Sequence, residues 1–253
     1  MSRTALITGA SAGLGAEFAQ QLAADGWNLV LVARRAEKLD ELAQTLIDKH
    51  NIKVTTLSMD LADPSAPSAI ETQLREADVT VDFLVNNAGS GGPDLLDDPG
   101  WQDQSQYLQL MMLSVAEMCH RFVTPMRARG FGRVINVASV AVRIIRAGDT
   151  NYGPRKAYLV ALSESMQHLK AEGVHVSALC PGFTHTDFHA EGRLADMKAG
   201  LPGFIWYSAQ DVVRDGLRAV EKGRAVSISG RLYRWLDPFL QSKLTRGLLK
   251  RFA

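Results

Sequence analysis

A tyrosine and a lysine four positions apart are the residues whose types and spacing most directly suggest chemistry. Tyr152 and Lys156 open a helical pattern that continues through Leu162, and a spacing of four puts both side chains on one helix face. An ammonium beside a phenol stabilises the phenolate, so we expect Lys156 to lower the pKa of Tyr152 below its ordinary value of about 10. Such a tyrosine would donate and accept protons near neutral pH.

A serine precedes this pair, at the end of an apolar run. Residues 134–138 predict a buried strand, and Ser139 stands where that strand should end. Its hydroxyl could hold the same substrate oxygen that Tyr152 would protonate. Because a tyrosine and a lysine at this spacing also occur by accident on protein surfaces, these three residues need support from the rest of the chain.

The N-terminus supplies that support, because its glycines are spaced as in a dinucleotide site. Residues 4–8 predict a short apolar strand, Gly9, Gly13 and Gly15 follow it, and a helical pattern begins directly afterwards. Glycines permit a tight turn and let the backbone approach a pyrophosphate, while the helix N-terminus offers N–H groups and a favourable dipole. The spacing differs from the general G-x-G-x-x-G fingerprint, and the alternative is that the glycines only form a strand–helix corner.

The residues after the second predicted strand indicate which dinucleotide is bound. Residues 27–32 predict that strand, and Ala33 fills the position, about 20 residues beyond the glycines, where an acidic side chain would bond the ribose of NAD. Arg34 comes next, and a guanidinium can chelate a 2′-phosphate that a carboxylate would repel. Ser11, inside the glycine turn, could add a second contact. We therefore predict NADP; the alternative is that Arg34 simply faces solvent.

The elements that must position these residues alternate between strand and helix. Residues 53–58 and 81–85 predict two further strands, and the helix before residue 53 is amphipathic. Connections of ordinary length predict an α/β fold, a Rossmann-type doubly wound parallel β-sheet of about seven strands with helices on both faces. We expect one NADP-binding catalytic domain, residues 1–230, followed by a basic amphipathic tail, residues 231–253.

Composition argues against several other classes of protein. Hydrophobic content of 46% and charged content of 22% are ordinary for a globular protein, and a net charge of +1 argues against nucleic-acid binding. The two cysteines, Cys119 and Cys180, give neither a disulfide framework nor a metal-ligand spacing. Neither a signal peptide nor a transmembrane stretch is recognisable, so a cytoplasmic protein without a metal is expected.

Five motifs in order give the chain a resemblance to a known family. They are Thr8-Gly9-x3-Gly13-x-Gly15, Asn86-Asn87-Ala88-Gly89, Ser139, Tyr152-x3-Lys156 and Pro181-Gly182-x3-Thr186. Their order and spacing resemble the short-chain dehydrogenase/reductase family, in its compact NADP-preferring type, over about residues 3–229. The resemblance implies a Rossmann fold, a nicotinamide cofactor and hydride transfer to or from a carbonyl carbon. A homodimer or homotetramer is the expected assembly.

The resemblance also implies roles for the motif residues. The catalytic residues would be Ser139, Tyr152 and Lys156, with Lys156 keeping the tyrosine acidic and holding the nicotinamide ribose. Asn86 and Gly89 would line the adenosine side and support the sheet. The residues expected to bind NADP are Gly9, Ser11, Gly13, Leu14, Gly15, Arg34, Asp60, Leu61, Asn87, Ala88, Gly89, Tyr152, Lys156, Pro181, Gly182, Thr184 and Thr186.

One position departs from the family's pattern. Members carry an asparagine in the long helix before the catalytic serine, where it supports a proton relay to the lysine; here that position falls on Met111 or Met112. A thioether cannot relay a proton, and core packing is the ordinary interpretation of both methionines. Ser114 or Gln109 could substitute, although their helical phase differs. The sequence therefore does not specify the path by which a proton reaches the lysine, and slow or rerouted turnover is one expectation.

The substrate side is the least determined part of the sequence. Candidate pocket edges are residues 90–93, residues 143–146 and the long connection 187–207, which resembles the family's mobile substrate lid. The apolar content of this connection favours a hydrophobic ketone or aldehyde. His185 and His189 have no matching partner for catalysis or metal binding, so the lid interpretation is preferred for both.

The tail differs from the rest of the chain in charge. Residues 231–253 carry a net charge of +5, which leaves −4 for the remainder, and apolar residues are interleaved at near-helical spacing. The pattern is typical of an arm that packs on the body or on a neighbouring subunit, and also of an amphipathic segment lying on an anionic membrane. Packing is favoured, because apolar stripes are more often buried.

The sequence is compatible with three functional hypotheses. The intact Ser139, Tyr152 and Lys156 favour an NADP-dependent carbonyl reductase or alcohol dehydrogenase with a small-molecule carbonyl or alcohol substrate. The methionines at the relay position leave room for a catalytically silent NADP-binding sensor or scaffold. An epimerase or dehydratase of the same superfamily is the weakest hypothesis, because those chains are usually longer.

Overall fold

A computed structural model gives the fold of residues 3–91, 94–96, 100–143, 149–186 and 202–241. Several predicted features lie outside these described residues. They are the pocket edges at residues 92–93 and 144–146, His189, the lid at residues 187–201 and the tail from residue 242 onward.

A parallel sheet forms the centre of the fold. The strands are β1 (Thr4–Thr8), β2 (Asn28–Ala33), β3 (Val54–Ser58), β4 (Phe83–Asn86), β5 (Gly132–Val137), β6 (Val174–Cys180), β7 (Thr184–His185), β8 (Tyr207–Ser208) and β9 (Val226–Ile228). Seven of them form one sheet in the order β3-β2-β1-β4-β5-β6-β9, and β7 pairs separately with β8. Every neighbouring pair is parallel, which confirms the predicted doubly wound, seven-stranded sheet.

Helices cover both faces of this sheet. They are α1 (Gly13–Ala24), α2 (Ala36–His50), α3 (Ala66–Glu76), α4 (Trp101–Leu108), α5 (Ser114–Arg129), α6 (Tyr152–Ser165), α7 (Ala209–Glu221) and α8 (Arg231–Gln241). A π-helical turn, Gln109–Leu113, joins α4 to α5. Shorter 3₁₀ turns cover Val140–Arg143, Gln167–Glu172 and Gly203–Ile205.

The core lies in two layers, one on each face of the sheet. All five residues of β1 are buried. Leu6 belongs to the layer that contains apolar residues of α3, α5 and α6, whereas Ala5 and Ile7 belong to the layer formed with α1, α2 and α7. This burial on two sides explains why the strands read as continuous apolar runs rather than as alternating patterns.

Strand boundaries differ from the predicted ones where residues other than large apolar ones take part in pairing. β5 begins at Gly132, two positions earlier than the apolar run suggested, because Gly132 and Arg133 pair with Val174 and His175 of β6. Backbone pairing requires no apolar side chain, so hydrophobicity alone could not locate this end.

The described part of the tail, α8, packs on the body. The Tyr233 ring lies against Gly182, and ion pairs join Arg143 to Asp237 at 2.8 Å and Arg234 to Asp215 at 3.1 Å. Over residues 231–241 the structure therefore agrees with the packing interpretation. In the portions of the chain that the structure covers, no helix has the length and apolar character needed to cross a membrane.

Candidate functional site

The predicted site residues converge at the carboxyl end of the parallel sheet. The glycine turn follows β1, residues 87–89 follow β4, Ser139 comes just after β5, and residues 181–186 follow β6. Because these strands are parallel, their carboxyl ends meet along one edge, and the strand order reverses between β1 and β4. Ligands of open α/β sheets bind in the crevice outside such a point.

The glycine turn folds so tightly that its glycines cannot carry side chains without strain. Gly9 and Gly13 have φ angles of 66° and 56°, a region that residues with a Cβ rarely adopt. A Cβ on Gly15 would lie 2.1 Å from the Gly9 carbonyl oxygen. α1 begins at Gly13 after Ala12, whose side chain offers no cap to the first-turn N–H groups. This bare backbone, with N–H groups at a helix start, fits the pyrophosphate of a dinucleotide.

Thr8 fixes the segment after β4 against this turn, a role that the sequence analysis missed. Its hydroxyl accepts from the Asn87 and Ala88 amides, at 2.9 and 3.0 Å, and donates to the Val85 carbonyl at 3.2 Å. The Asn87 side chain donates back to the carbonyls of Thr8 and Gly9, at 2.9 and 3.2 Å. The position of Thr8 at the head of the glycine motif is the signal that could have identified it.

The two arginines after β2 have different partners. Arg34 has a side chain that is 74% exposed, and its guanidinium lies 3.8 Å from the Asp60 carboxylate. Arg35 donates from Nε and Nη2 to the Ser11 hydroxyl, at 3.3 and 2.9 Å. Arg35 thus connects β2 to the glycine turn, a role that was not predicted because only Arg34 stands next to Ala33.

Asp60, Leu61 and Leu14 differ in what they can offer to a cofactor. Asp60 follows β3 and accepts from the Ala62 amide at 3.0 Å. Leu61 is 5% exposed and belongs to one core layer, while Leu14 packs against the other. Of these three, only Asp60 presents a polar side chain, so the two leucines could contribute only backbone groups or apolar contacts.

Ser139 and Tyr152 are brought into contact, and Lys156 lies one helical turn further along. The Ser139 side chain lies close enough to the phenol to lower its pKa through hydrogen bonding, and the Ser139 hydroxyl oxygen accepts from the Ala141 amide at 3.1 Å. Lys156 is 5% exposed and donates to the Val137 carbonyl at 2.7 Å. Its nitrogen lies 5.9 Å from the centre of the Tyr152 ring. α6 begins at Tyr152, as expected from a proline in its first turn.

The pKa of Tyr152 departs from the sequence prediction. Burial raises this pKa to about 12, and the hydrogen bond with Ser139 offsets only part of that effect. Burial lowers the pKa of Lys156 to about 8. The prediction that Lys156 lowers the tyrosine pKa was wrong for this structure, because desolvation dominates while the ammonium is bonded to a backbone carbonyl. Tyr152 is therefore protonated at neutral pH.

The start of the segment after β6 lies between the Ser139 loop and α8. The Pro181 carbonyl accepts from the Val140 amide at 3.0 Å, which joins this segment to the loop after β5. Gly182 lies against the Tyr233 ring so closely that a Cβ there would come within 2.0 Å of a ring carbon. Both residues are thereby held at the edge of the sheet.

Two threonines continue this segment toward the glycine turn. The Thr184 hydroxyl donates to the Gly182 carbonyl at 2.9 Å, and the residue is 2% exposed. Thr186 lies beside Gly13, where a Cβ would come within 3.4 Å of the threonine side chain. The segment therefore reaches across from β6 to the start of α1.

Met111, one of the two methionines at the predicted relay position, packs against the segment after β4. Met111 is 1% exposed within the π-helical turn, and a Cβ on Gly89 would lie 2.9 Å from its sulfur. Core packing of Met111 is therefore confirmed. Ser114, one suggested substitute, donates its hydroxyl to the Leu110 carbonyl at 2.8 Å.

A buried amide network behind the site was not predicted. Asn136 of β5 is 0% exposed, accepts from the Asn86 side chain and donates to Ser163, each at 2.9 Å. Ser163 donates in turn to the Leu159 carbonyl at 2.8 Å. The network joins β4, β5 and α6 behind Tyr152. An asparagine inside an apolar run was its signal, because a buried amide requires partners.

Aromatic side chains occupy the described part of the substrate side. Trp206 is 8% exposed, and its ring centre lies 5.1 Å from that of Phe183 and 5.4 Å from that of His185. His185 thus takes part in aromatic packing. In the residues that the structure describes, no group of three His, Cys, Asp or Glu side chains could hold a metal ion.

Comparison with known proteins identifies similar sequences. The sequence profile of the family described as short chain dehydrogenase matches residues 3–196. Sulfoacetaldehyde reductase 2 of Chromohalobacter salexigens is 32% identical over 191 residues, which cover 74% of this chain and 75% of that protein.

Two solved structures are similar over nearly the whole chain. The short-chain dehydrogenase from Sphingobium yanoikuyae in complex with NADPH has a TM-score of 0.82 and 30% identity, covering 98% of this chain and 95% of that one. The bulky-bulky ketone specific alcohol dehydrogenase from Comamonas testosteroni has a TM-score of 0.79 and 27% identity, covering 98% and 94%.

Proposed function

The chain belongs to the short-chain dehydrogenase/reductase family, and we propose that it transfers a hydride between NADP(H) and the carbonyl or alcohol carbon of a hydrophobic ketone, aldehyde or secondary alcohol. The observation that carries this proposal is the placement of the Ser139 side chain beside Tyr152, with Lys156 buried one helical turn away. These residues stand at the same edge of the sheet as the glycine turn.

The proposed mechanism assigns one role to each of the three side chains. Bound NADPH supplies the hydride. Tyr152, which is protonated because its pKa is about 12, donates a proton to the substrate oxygen as negative charge develops there. Ser139 donates a hydrogen bond to the same oxygen. Lys156 carries its proton below a pKa of about 8, and in that state its ammonium can bond the nicotinamide ribose.

NADP is proposed over NAD because of the residues that follow β2. Ala33 leaves no carboxylate to repel a 2′-phosphate, and the exposed Arg34 offers a guanidinium to it. Arg35 is bonded to Ser11 in the glycine turn, so a second guanidinium lies at the same end of the site. The similar protein from Sphingobium yanoikuyae is described in complex with NADPH, which supports this choice.

A hydrophobic substrate is proposed from the side chains after β6. Phe183 and Trp206 pack there in contact with each other, and apolar and aromatic side chains contribute most of the binding surface in small-molecule sites. The similar protein from Comamonas testosteroni is described as specific for bulky-bulky ketones. That description supports a ketone with apolar substituents for this chain.

A catalytically silent NADP-binding protein is the second candidate. The observation that favours it is the packing of Met111, 1% exposed, which is one of the two methionines, Met111 and Met112, at which a relay asparagine is expected. A thioether offers no proton to exchange. On this alternative the protein would bind NADPH without turning over carbonyl substrates.

The test is turnover of NADPH with a panel of aliphatic, aromatic and bicyclic ketones and aldehydes, and turnover of NADP+ with the corresponding secondary alcohols. We expect oxidation of NADPH by at least one apolar ketone or aldehyde, and weaker activity with NADH. NADPH binding, measured by fluorescence titration, serves as the control for an intact cofactor site. Binding without turnover of any panel member would replace the enzyme by the silent alternative.

A further inference from the structure

Arg155 is a buried arginine directly before Lys156, and the catalytic roles assigned above leave it without a function. Among the residues that the structure describes, its side chain is the largest of those that are fully buried, at 2% exposure. Nε donates to the Asn151 carbonyl at 2.9 Å. The two terminal nitrogens, Nη1 and Nη2, are buried and have no hydrogen-bond partner in the described structure. Burial lowers the pKa of the guanidinium to about 10.

This placement is costly for three physical reasons. Burial removes a cation from water, and two of its nitrogens gain no hydrogen bond in return. The side chain folds back to the first turn of α6, where a positive charge opposes the helix dipole. An apolar side chain of similar length would avoid all three costs. Positions that break several such rules at once are expected to serve function.

The contacts of Arg155 join three parts of the site. Its guanidinium stacks on the Tyr107 ring of α4, with the central carbon 3.4 Å from the ring centre. The Tyr107 hydroxyl donates to the Ser90 carbonyl, and Ser90 directly follows the segment 87–89 expected to hold the cofactor. The Asn151 side chain donates to Gln104 of α4. Arg155 thus couples the start of α6 to α4 and to the cofactor side.

We propose that Arg155 is a positioning residue for Tyr152. The Asn151 carbonyl, one residue before Tyr152, accepts both from the Arg155 amide at 3.3 Å and from Arg155 Nε at 2.9 Å. The Arg155 side chain therefore holds the first turn of α6 in place. Stacking on Tyr107 then sets the distance between this turn and the segment at Ser90. The inference rests on the proposed function, because the position of Tyr152 matters only if Tyr152 transfers a proton.

Two variants and a matched control test the proposal. Arg155→Met keeps the length of the side chain and removes its charge and hydrogen bond, whereas Tyr107→Phe keeps the stacking ring and removes the bond to Ser90. The control is Arg127→Met, which removes an arginine paired with Glu172 at 2.7 Å on an exposed surface, where ion pairs contribute little to stability. Each variant is assayed for kcat, for the Kd of NADPH and for hydrogen exchange of the segment 150–158.

We expect Arg155→Met to lower kcat about 10- to 100-fold, because a misplacement of about 1 Å can cost about 100-fold. Tyr107→Phe should lower kcat about 2- to 10-fold, the equivalent of one hydrogen bond of about 0.5–1.5 kcal/mol. In both variants kcat should fall by a larger factor than the affinity for NADPH, and exchange should accelerate in the segment 150–158. The control should match the wild type in all three measurements.

Hydrogen exchange decides the proposal even if no substrate is found. Unchanged exchange of the segment 150–158 in both variants would overturn the positioning role, whatever the activity. Faster exchange throughout the chain, with kcat falling only in proportion to the folded fraction, would also overturn it in favour of a purely structural role. Absence of turnover in the wild type together with locally faster exchange would refute the proposed enzyme and leave the coupling at α6 established.

Discussion

Burial acts on the two ionisable groups of the site in opposite directions. It raises the pKa of Tyr152 to about 12 and lowers that of Lys156 to about 8, since loss of water disfavours the phenolate and the ammonium alike. At neutral pH both groups therefore hold their protons. This state suits the direction in which a carbonyl is reduced, because Tyr152 then acts as the proton donor.

We predict that kcat/KM for NADPH falls as the pH rises through about 8. The lowered pKa means that Lys156 is an ammonium below this pH and a neutral amine above it, whereas Tyr152 stays protonated up to about 12. The pH profile of kcat/KM for NADPH reports the groups of the free enzyme. A single alkaline limb near 10.5, the ordinary lysine value, would contradict this account.

Arg34 and Arg35 should contribute to cofactor binding in different ways. Arg34→Ala should weaken NADPH binding about 10- to 150-fold, since hydrogen bonds to charged groups contribute about 1.5–3 kcal/mol, and should leave NADH nearly unaffected. Arg35→Ala releases Ser11 in the glycine turn, so it should weaken both cofactors. Fluorescence titration gives the four dissociation constants. Equal Kd values for NADPH and NADH in the wild type would exclude the NADP assignment.

Individual residues were easier to predict than their electrostatics. Ser139 and Tyr152 come together as expected, because a strand end and a helix start at the same sheet edge place them side by side. The pKa of Tyr152 was not predictable, since it depends on burial and on Tyr107 and Asp149. Tyr107 comes from a distant part of the sequence, and no local pattern contains such information.

Among the elements, the turn between β1 and α1 was predicted most fully. Glycines are required where φ is positive or where the backbone is crowded, so their spacing indicates the geometry of the turn. The π-helical turn Gln109–Leu113 was not predicted. Its residues fit an ordinary α-helix, so the sequence gives no sign of the wider π-helical turn. In the structure this turn contains Met111, which packs against Gly89. The short pair β7 and β8 was missed as well, since strands of two residues are too short to show a period.

Gly15→Ala tests the packing of that turn. The added methyl group would lie 2.1 Å from the Gly9 carbonyl oxygen. We therefore expect the free energy of unfolding to fall by about 1–3 kcal/mol or more, and we expect NADPH binding to be lost. Gly203→Ala is the matched control, because a methyl group there has no neighbour within 4 Å. Thermal unfolding and cofactor titration measure both effects. A stable Gly15→Ala variant that binds NADPH normally would show that the turn is more open than described.

For the whole molecule, alternation of strands and helices was sufficient to predict the doubly wound sheet. The contact between α8 and the segment after β6 was not predictable, because the amphipathic pattern of the tail does not specify its partner. In the structure Tyr233 covers Gly182 and donates its hydroxyl to the Ile205 carbonyl at 3.1 Å. The beginning of the tail is therefore packed beside predicted cofactor residues.

Replacement of two aromatic residues of α8 by alanine should have different effects on the stability of the protein and on NADPH binding. Tyr233→Ala removes the ring that covers Gly182, so we expect a loss of about 1–3 kcal/mol in stability and weaker binding of NADPH. Trp235→Ala, at a residue 68% exposed, should change stability by no more than about 0.5 kcal/mol. Denaturant unfolding and NADPH titration of both variants provide the comparison. Equal losses of stability and of NADPH affinity in the two variants would mean that α8 does not pack through the Tyr233 face.

The central claim, that Tyr152 donates the proton in an NADPH-dependent reduction, is tested most directly by kcat of Tyr152→Phe. The measurement uses the carbonyl substrate that the wild type reduces fastest, with the Kd of NADPH determined on the same preparation. We expect a fall in kcat of about 10²–10⁴-fold with a much smaller change in the Kd of NADPH. A kcat equal to that of the wild type would contradict it.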